Sequence, residues 1–356
     1  MQFQRAYVNA VAGAVPGHDI HQAYIGWAAA RIADPRERAL FERMAERAGI
    51  DHRWSVLPPT EAGGSPVDVG GFYDGPPPGT ARRMQLYAQA APALALEAIG
   101  KLREQVELDG ITHLVVASCT GFVAPGVDQI IAAALGLEDA ERTLIGFMGC
   151  YAAAAVLRTC HHIVRSAPEA RVLAVTVELS SLHLQFAAEL EPLLAELQFG
   201  DGAAAALVTG EPRGFGIVAP FAATLPQSDT LIRWTIGDAG FEMVLSGEVP
   251  GRIAAALQED KVRRRLLDSW SADEVDAWAV HAGGRSILDA VERGLELAPA
   301  KLLASRKVLA DYGNMSSSTL MFVLRDLLEQ PDAERGIAIA FGPGLAAEGF
   351  RFERAA

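Results

Sequence analysis

The stretch Gly146-Phe147-Met148-Gly149-Cys150-Tyr151, followed by four alanines, constrains this chain more than any other. A hydrophobic run from Thr143 to Met148 reads as a buried strand that stops at a glycine. The alanine-rich run that follows, to about Val164, reads as a buried helix. Cys150 then falls at a strand-to-helix turn. The first N–H groups of a helix have no intrahelical partner there, and the dipole end is positive. Both effects favour a thiolate, which is the nucleophilic form of cysteine.

The same alternation runs through most of the chain. Residues 1–30 read as a first strand and turn. Residues 35–53 read as a basic helix carrying Arg36, Arg38, Arg43, Arg47 and Arg53, interleaved with Glu37, Glu42 and Glu46. Prolines and glycines crowd residues 57–80, which read as a loop. A long alanine-rich helix is expected over 80–107. Strands are expected at Ile111–Ala117, Arg171–Val177, Ala203–Val208, Asp276–Val280 and Gly336–Ala340. Helices are expected over 127–135, to Leu295 and to Leu328, and Pro212 to Asp229 is the most linker-like passage. This is the pattern of an α/β protein.

Composition narrows the function. The chain has 356 residues, half of them hydrophobic, so a substantial core is available. The net charge is −13 with no long basic run, which argues against a nucleic-acid partner. Three cysteines without a CxxC pair suit a reducing compartment and exclude a disulfide framework or a cysteine zinc site. The N-terminal Met1-Gln2-Phe3-Gln4-Arg5 lacks a signal-peptide pattern, and no uncharged apolar stretch reaches the roughly 18 residues of a membrane span. The expectation is a cytoplasmic protein. No metal-ligand cluster, P-loop or GxGxxG signature appears, so no bound metal or redox cofactor is expected.

A weak internal duplication brings chemistry together. Val115-Val116-Ala117-Ser118-Cys119-Thr120-Gly121 resembles Trp278-Ala279-Val280-His281-Ala282-Gly283, and Gly149-Cys150-Tyr151 resembles Gly313-Asn314-Met315. The matched points lie 31 residues apart in the first half and 33 in the second. Two related halves, 1–212 and 213–356, would bring corresponding turns to one centre. Cys150 would then face His281 and Asn314. That set suits acyl transfer: the sulfur attacks a thioester carbonyl, an imidazole lowers the thiol pKa and donates to an oxyanion, and an amide adds a second donor. Cys119 and Cys160 read as structural cysteines. Phe199, before Gly200-Asp201-Gly202, reads on its own as a core residue.

With these residues assembled, the chain resembles the type III polyketide synthases, the chalcone synthase-like branch of the thiolase-fold condensing enzymes. The matching segments are Ile111-Thr112-His113-Leu114-Val115-Val116, Gly149-Cys150-Tyr151-Ala152, Phe199-Gly200-Asp201-Gly202-Ala203-Ala204-Ala205, Val249-Pro250-Gly251, His281-Ala282-Gly283-Gly284, Tyr312-Gly313-Asn314-Met315-Ser316-Ser317 and Phe341-Gly342-Pro343-Gly344. The resemblance implies a thiolase-like fold of two pseudo-duplicated α/β halves in αβαβα layers. It implies that Cys150 carries the acyl chain. His281 and Asn314 would bind the malonyl-CoA thioester, assist its decarboxylation and stabilise the enolate and the oxyanion.

Phe199 looks like the family's gatekeeper phenylalanine, and Met243 stands where a second gatekeeper phenylalanine is usual. His183, Trp234 and Ser316 look cavity-lining, and Gly342-Pro343-Gly344 looks like the cavity-wall loop. Arg53 and Ser286 fall near the CoA-binding positions. Ala124 lies near the dimer-contact loop, which implies a homodimer. Trp234 is bulky where plant members can have glycine, and this suggests a small product. The expected substrates are CoA thioesters, malonyl-CoA and an acyl-CoA, extended and then cyclised to a pyrone- or resorcinol/phloroglucinol-type product. The alternatives are a 3-oxoacyl-[acyl-carrier-protein] synthase III-like enzyme that condenses once, and a non-catalytic thiolase-fold partner subunit.

Overall fold

Runs of β-branched and small apolar residues become strands, and the alanine-rich runs between them become helices, in the computed structural model, which describes residues 4–356. Met1, Gln2 and Phe3, part of the N-terminal stretch read above, lie outside the described residues. Among those described, nine strands join in one mixed sheet. Tyr7–Ala14 pairs antiparallel with Asp201–Thr209, which pairs antiparallel with Val172–Leu179. The latter runs parallel to His113–Ser118, and that strand runs parallel to Glu141–Gly146. A second run repeats the pattern. Phe215–Thr224 pairs antiparallel with Ala346–Arg354, which pairs antiparallel with Arg335–Gly342, itself parallel to Ala277–Val280. The two runs meet only where Tyr7 and Val8 oppose Gly216 and Phe215.

Strand periodicity explains the layers, because successive side chains point to opposite faces. Ala204, Ala206 and Val208 share a buried cluster with Ala277, Ala279, Ala338 and Ala340. That cluster also takes in helices Ala152–Ser166 and Ser317–Leu328, which lie between the two runs of strands. The alternate residues Ala203, Ala205 and Leu207 face helix Thr80–Arg103. Trp278, Val280, Ile337 and Ile339 face helices Val249–Gln258 and Arg285–Leu295. Helix, sheet, central helices, sheet and helix give the αβαβα layering of a thiolase-like fold.

Two expectations change. The run ending before Cys150 is a strand over Glu141–Gly146, but it is the sheet's edge and largely exposed, not buried. Pro212 to Asp229 holds the strand Phe215–Thr224, which links the two runs of strands. Its glycine, proline and alanines mask the period-two signal that Phe215 and Ile217 carry into the core.

Candidate active site

Cys150 sits in a single turn, Gly149–Tyr151, immediately before helix Ala152–Ser166. Phe147 (φ 54°) and Gly149 (φ 70°) are both left-handed, which swings the chain from the strand edge into the helix. The Phe341–Gly344 segment lies directly against this turn. A Cβ on Gly149 would stand 2.6 Å from Pro343 Cδ, and one on Gly342 would stand 2.4 Å from the Tyr151 ring. Neither position has room for a side chain, so the second run of strands fixes the nucleophile's backbone.

His281 follows strand Ala277–Val280, and its N–H donates to the Ile339 carbonyl at 2.8 Å. It is 1% exposed, and neither ring nitrogen has a hydrogen-bond partner. Asn314 is tied in on every side. Its backbone N–H donates to Gln198 O and its carbonyl accepts from Gly200 N, bracketing Phe199. Its amide nitrogen donates to Gly283 O, two residues from His281, at 3.1 Å, and its Oδ1 accepts from Ser316 N at 2.8 Å. The Ser316 hydroxyl and the Asn314 amide also act on the Cys150 thiol, each favouring its ionised form. The structure therefore joins Asn314 and Ser316 directly, reaches His281 through the turn that Asn314 holds, and sets both Asn314 and Ser316 to act on the Cys150 thiol.

The electrostatics are those of a dry chamber. Cys150 keeps some surface exposure, but its sulfur lies deep among protein atoms. Burial pushes the thiol up to about 11. The Glu178 carboxylate adds to the shift, while the Ser316 and Asn314 donors oppose it. The helix start alone thus does not produce a thiolate. Burial also holds the His281 imidazole down at about 3.

Glu178 was not anticipated from the sequence. Its buried carboxylate accepts from the Cys119 N–H and thiol, the Thr120 hydroxyl and the Ser317 hydroxyl, and burial pushes it up to about 7. The signal was a lone carboxylate in the apolar run Val172–Leu179. Cys119, read as structural, shares this cluster and lies 3.4 Å from the Ser316 hydroxyl. Cys160 is fully buried in the central core, as read.

Residues 3–212 match the family model described as chalcone and stilbene synthases, N-terminal domain, and residues 217–354 match the C-terminal domain of the same family. This chain belongs to the chalcone and stilbene synthase family. It is a type III polyketide synthase, an acyltransferase of malonyl-CoA condensation. Among its relatives, the bisdemethoxycurcumin synthase of Oryza sativa is 33% identical, over 86% of this chain and 81% of that protein. The alpha-pyrone synthesis polyketide synthase-like Pks18 of Mycobacterium tuberculosis is 30% identical, over 98% of this chain and 91% of that protein. The crystal structure of PKS-I from the brown alga Ectocarpus siliculosus superposes with a TM-score of 0.88 at 27% identity, covering 99% of each chain. The type III domain of Steely1 from Dictyostelium shares the fold, with a TM-score of 0.89 at 24% identity, covering 99% of this chain and 100% of that one.

In this polyketide synthase the expected wall residues gather on one side. Hairpin strands Ile232–Gly237 and Gly240–Leu245 set Trp234 directly opposite Met243. Trp234 Nε1 donates to the Cys119 carbonyl at 2.9 Å, and its ring meets His183 and Phe241 edge-on. His183 is buried and neutral, its pKa held at about 3 by burial. Phe241 N donates to its Nδ1, so Nε2 carries the proton and donates to Thr120 O at 2.6 Å. His183, Trp234, Met243 and Phe199 all line one cavity.

The proposed CoA residues divide. Arg53 is 2% exposed. Its Nε donates to His21, and its Nη1 donates to the carbonyls of Glu196 and Phe199, so it cannot meet a solvent-borne phosphate. This corrects the sequence expectation: the charge falls at the inner end of the basic segment, where the chain has already turned into the core. Ser286 instead lines an open cleft of about 660 Å³ with Arg47 and Arg285. Arg285 donates to the Arg47 carbonyl at 3.0 Å, which holds the two cations together beside Gln198, the neighbour of Phe199.

Proposed function

We propose that Cys150 accepts the starter acyl group from an acyl-CoA, forming a thioester and releasing CoA. His281 and Asn314 then hold the thioester carbonyl of malonyl-CoA. Loss of carbon dioxide leaves an enolate whose negative oxygen their N–H groups stabilise. The enolate carbon attacks the Cys150 thioester, the sulfur leaves, and a 3-oxoacyl-CoA extended by two carbons forms. The lengthened chain returns to Cys150 for further rounds and closes to a pyrone- or resorcinol/phloroglucinol-type ring. The observation that carries this reading is the amide of Asn314, which donates to the turn after His281 and also favours the ionised form of the Cys150 thiol.

The remaining assignments follow. Arg47, Arg285 and Ser286 hold the CoA moiety in the open cleft, with Phe199 and Met243 between it and the acyl chamber. Ser316, His183, Trp234 and the Gly342-Pro343-Gly344 loop shape that chamber. The repeated pairing pattern supports halves at 1–212 and 213–356, with the cysteine on the first and the histidine and asparagine on the second. The exposed strand Glu141–Gly146 beside the site supports a homodimer. No helix among the described residues is long and apolar enough to cross a membrane, and three free cysteines suit the cytoplasm.

Incubation with an acyl-CoA panel and malonyl-CoA, with and without acyl carrier protein, tests the reading. Mass spectrometry should find the acyl adduct on Cys150, absent in Cys150→Ala, and products of more than one extension without carrier protein. Strict dependence on carrier protein with a single condensation supports the synthase III alternative. No adduct and no product supports a non-catalytic subunit.

A further inference from the structure

The cavity lined by Phe199, His183, Trp234 and Met243 also carries polar residues to which the acyl chemistry assigns no role. Beside Phe199 it continues under the loop 57–79, which contributes Leu57, Ser65 and Tyr73 to its lining. About 50 Å³ of it is open to the centre of a water-sized sphere, room for a group of a few heavy atoms. The lining is mainly carbon, but three of its residues carry a buried polar atom without a partner: Arg53 Nη2, Ser65 Oγ and Glu196 Oε2. Arg53 and Ser65 are only 2% and 5% exposed.

These orphans are not loosely held side chains. Arg53 has committed Nε and Nη1, and the Tyr24 ring lies 4.6 Å from its guanidinium carbon. Glu196 Oε1 accepts from Gln185 N at 2.8 Å. In each case the second arm is left over. Buried polar atoms without partners are rare and costly, and three around one cavity call for a ligand that satisfies them.

We propose that this inner pocket reads a hydroxyl group at the far end of the starter acyl chain. The inference rests on the acyl-transfer reading above. A hydroxyl offers one donor and two acceptor lone pairs. It accepts from Arg53 Nη2, donates to Glu196 Oε2 and exchanges a hydrogen bond with Ser65 Oγ, while the carbon chain runs along the apolar walls past Phe199. A plain alkyl end leaves all three atoms unsatisfied. A carboxylate end brings a further anion beside Glu196 and Asp201, whose own carboxyls burial already pushes up to about 8 and about 6.

The test uses saturated acyl-CoAs of graded length, with their ω-hydroxy and ω-carboxy counterparts. Two quantities are read: kcat/KM on the wild-type protein, and affinity by calorimetry on Cys150→Ala, which cannot load. At the best-fitting length the hydroxy chain should exceed the plain chain by at least about tenfold in both. Ser65→Ala and Glu196→Gln should each shrink that ratio to about threefold or less. Ser65→Ala is the milder change and serves if Glu196→Gln does not fold. Equal handling of hydroxy and plain chains, a ratio that survives both substitutions, or a preference for the carboxy chain overturns the assignment. If no starter is condensed at all, the acyl-transfer reading fails, and the calorimetric ratio still decides whether the pocket selects a hydroxyl.

Discussion

Burial disfavours a lone thiolate at Cys150 and a lone imidazolium at His281. Moving the thiol proton to the imidazole creates both charges together, leaves the chamber's net charge unchanged and lets each charge stabilise the other. The acyl-transfer chemistry proposed above requires that ion pair as its reactive species. His281→Ala removes the acceptor and leaves only the buried thiol. Alkylation of Cys150 by iodoacetamide, followed from about pH 5 to about pH 10, should be rapid near neutrality in the wild type. In the variant it should climb only toward a thiol pKa of about 11. Superimposable profiles refute the pair. Glu178 makes a separate prediction about stability. Its folded pKa of about 7 exceeds the ordinary 4.5, so its contribution is fully present below pH 4.5 and is lost as pH rises to 7. At about 1.4 kcal/mol per unit this loss is a few kcal/mol. Urea unfolding of Glu178→Gln should lack that part of the slope, gaining on the wild type as pH rises; parallel curves refute it.

Element by element, what the sequence disclosed tracks how local its cause is. The turn at Cys150 and the strands before His281 were legible because apolar runs broken by glycine have few readings. Asn314 and Phe199 were placed by motif. Glu178 was not read, since its role exists only when Cys119, Thr120 and Ser317 converge on it from two other segments. Arg53 and Arg47 look alike in sequence, yet one turns into the core and the other stays at the cleft. Hairpin Ile232–Leu245 had no strong period, because its outer face is solvated and its inner face carries mixed sizes. That hairpin nevertheless carries Trp234, Phe241 and Met243 into the cavity wall. Trp234 is pinned to the Cys119 carbonyl and braced by His183 and Phe241. Removing its ring opens volume that the neighbouring rings cannot refill without breaking the His183 bonds to Phe241 and Thr120. Trp234→Gly should shift products toward longer chains or other ring closures by liquid chromatography–mass spectrometry. An unchanged product profile sinks the size argument.

At the scale of the whole molecule, the large sheet ends on Glu141–Gly146, and no strand among the described residues pairs with that edge. An unpaired edge with apolar side chains is a template for another strand, and monomeric proteins usually blunt it with charge or proline. Here Leu144 is 46% exposed, with Phe122 at 47% and Phe147 at 37% beside it. A two-fold axis beside this strand would pair it antiparallel with its own copy and cover the aromatic pair in the same step. Phe147 lies three residues before Cys150, so the interface would also brace the turn that presents the sulfur. Leu144→Asp sets two carboxylates against each other across such an axis, and Arg142→Pro removes an outward-facing strand donor, since the Glu141 N–H beside it donates inward to Thr112 O and the direction alternates along the strand. By sedimentation velocity the wild type should run as a dimer. Both variants should dissociate at protein concentrations at least about a hundredfold higher than the wild type does, with circular dichroism unchanged, since the strand still pairs with His113–Ser118 on its inner side. A monomeric wild type, or a Leu144→Asp dimer of undiminished strength, removes this edge as the interface.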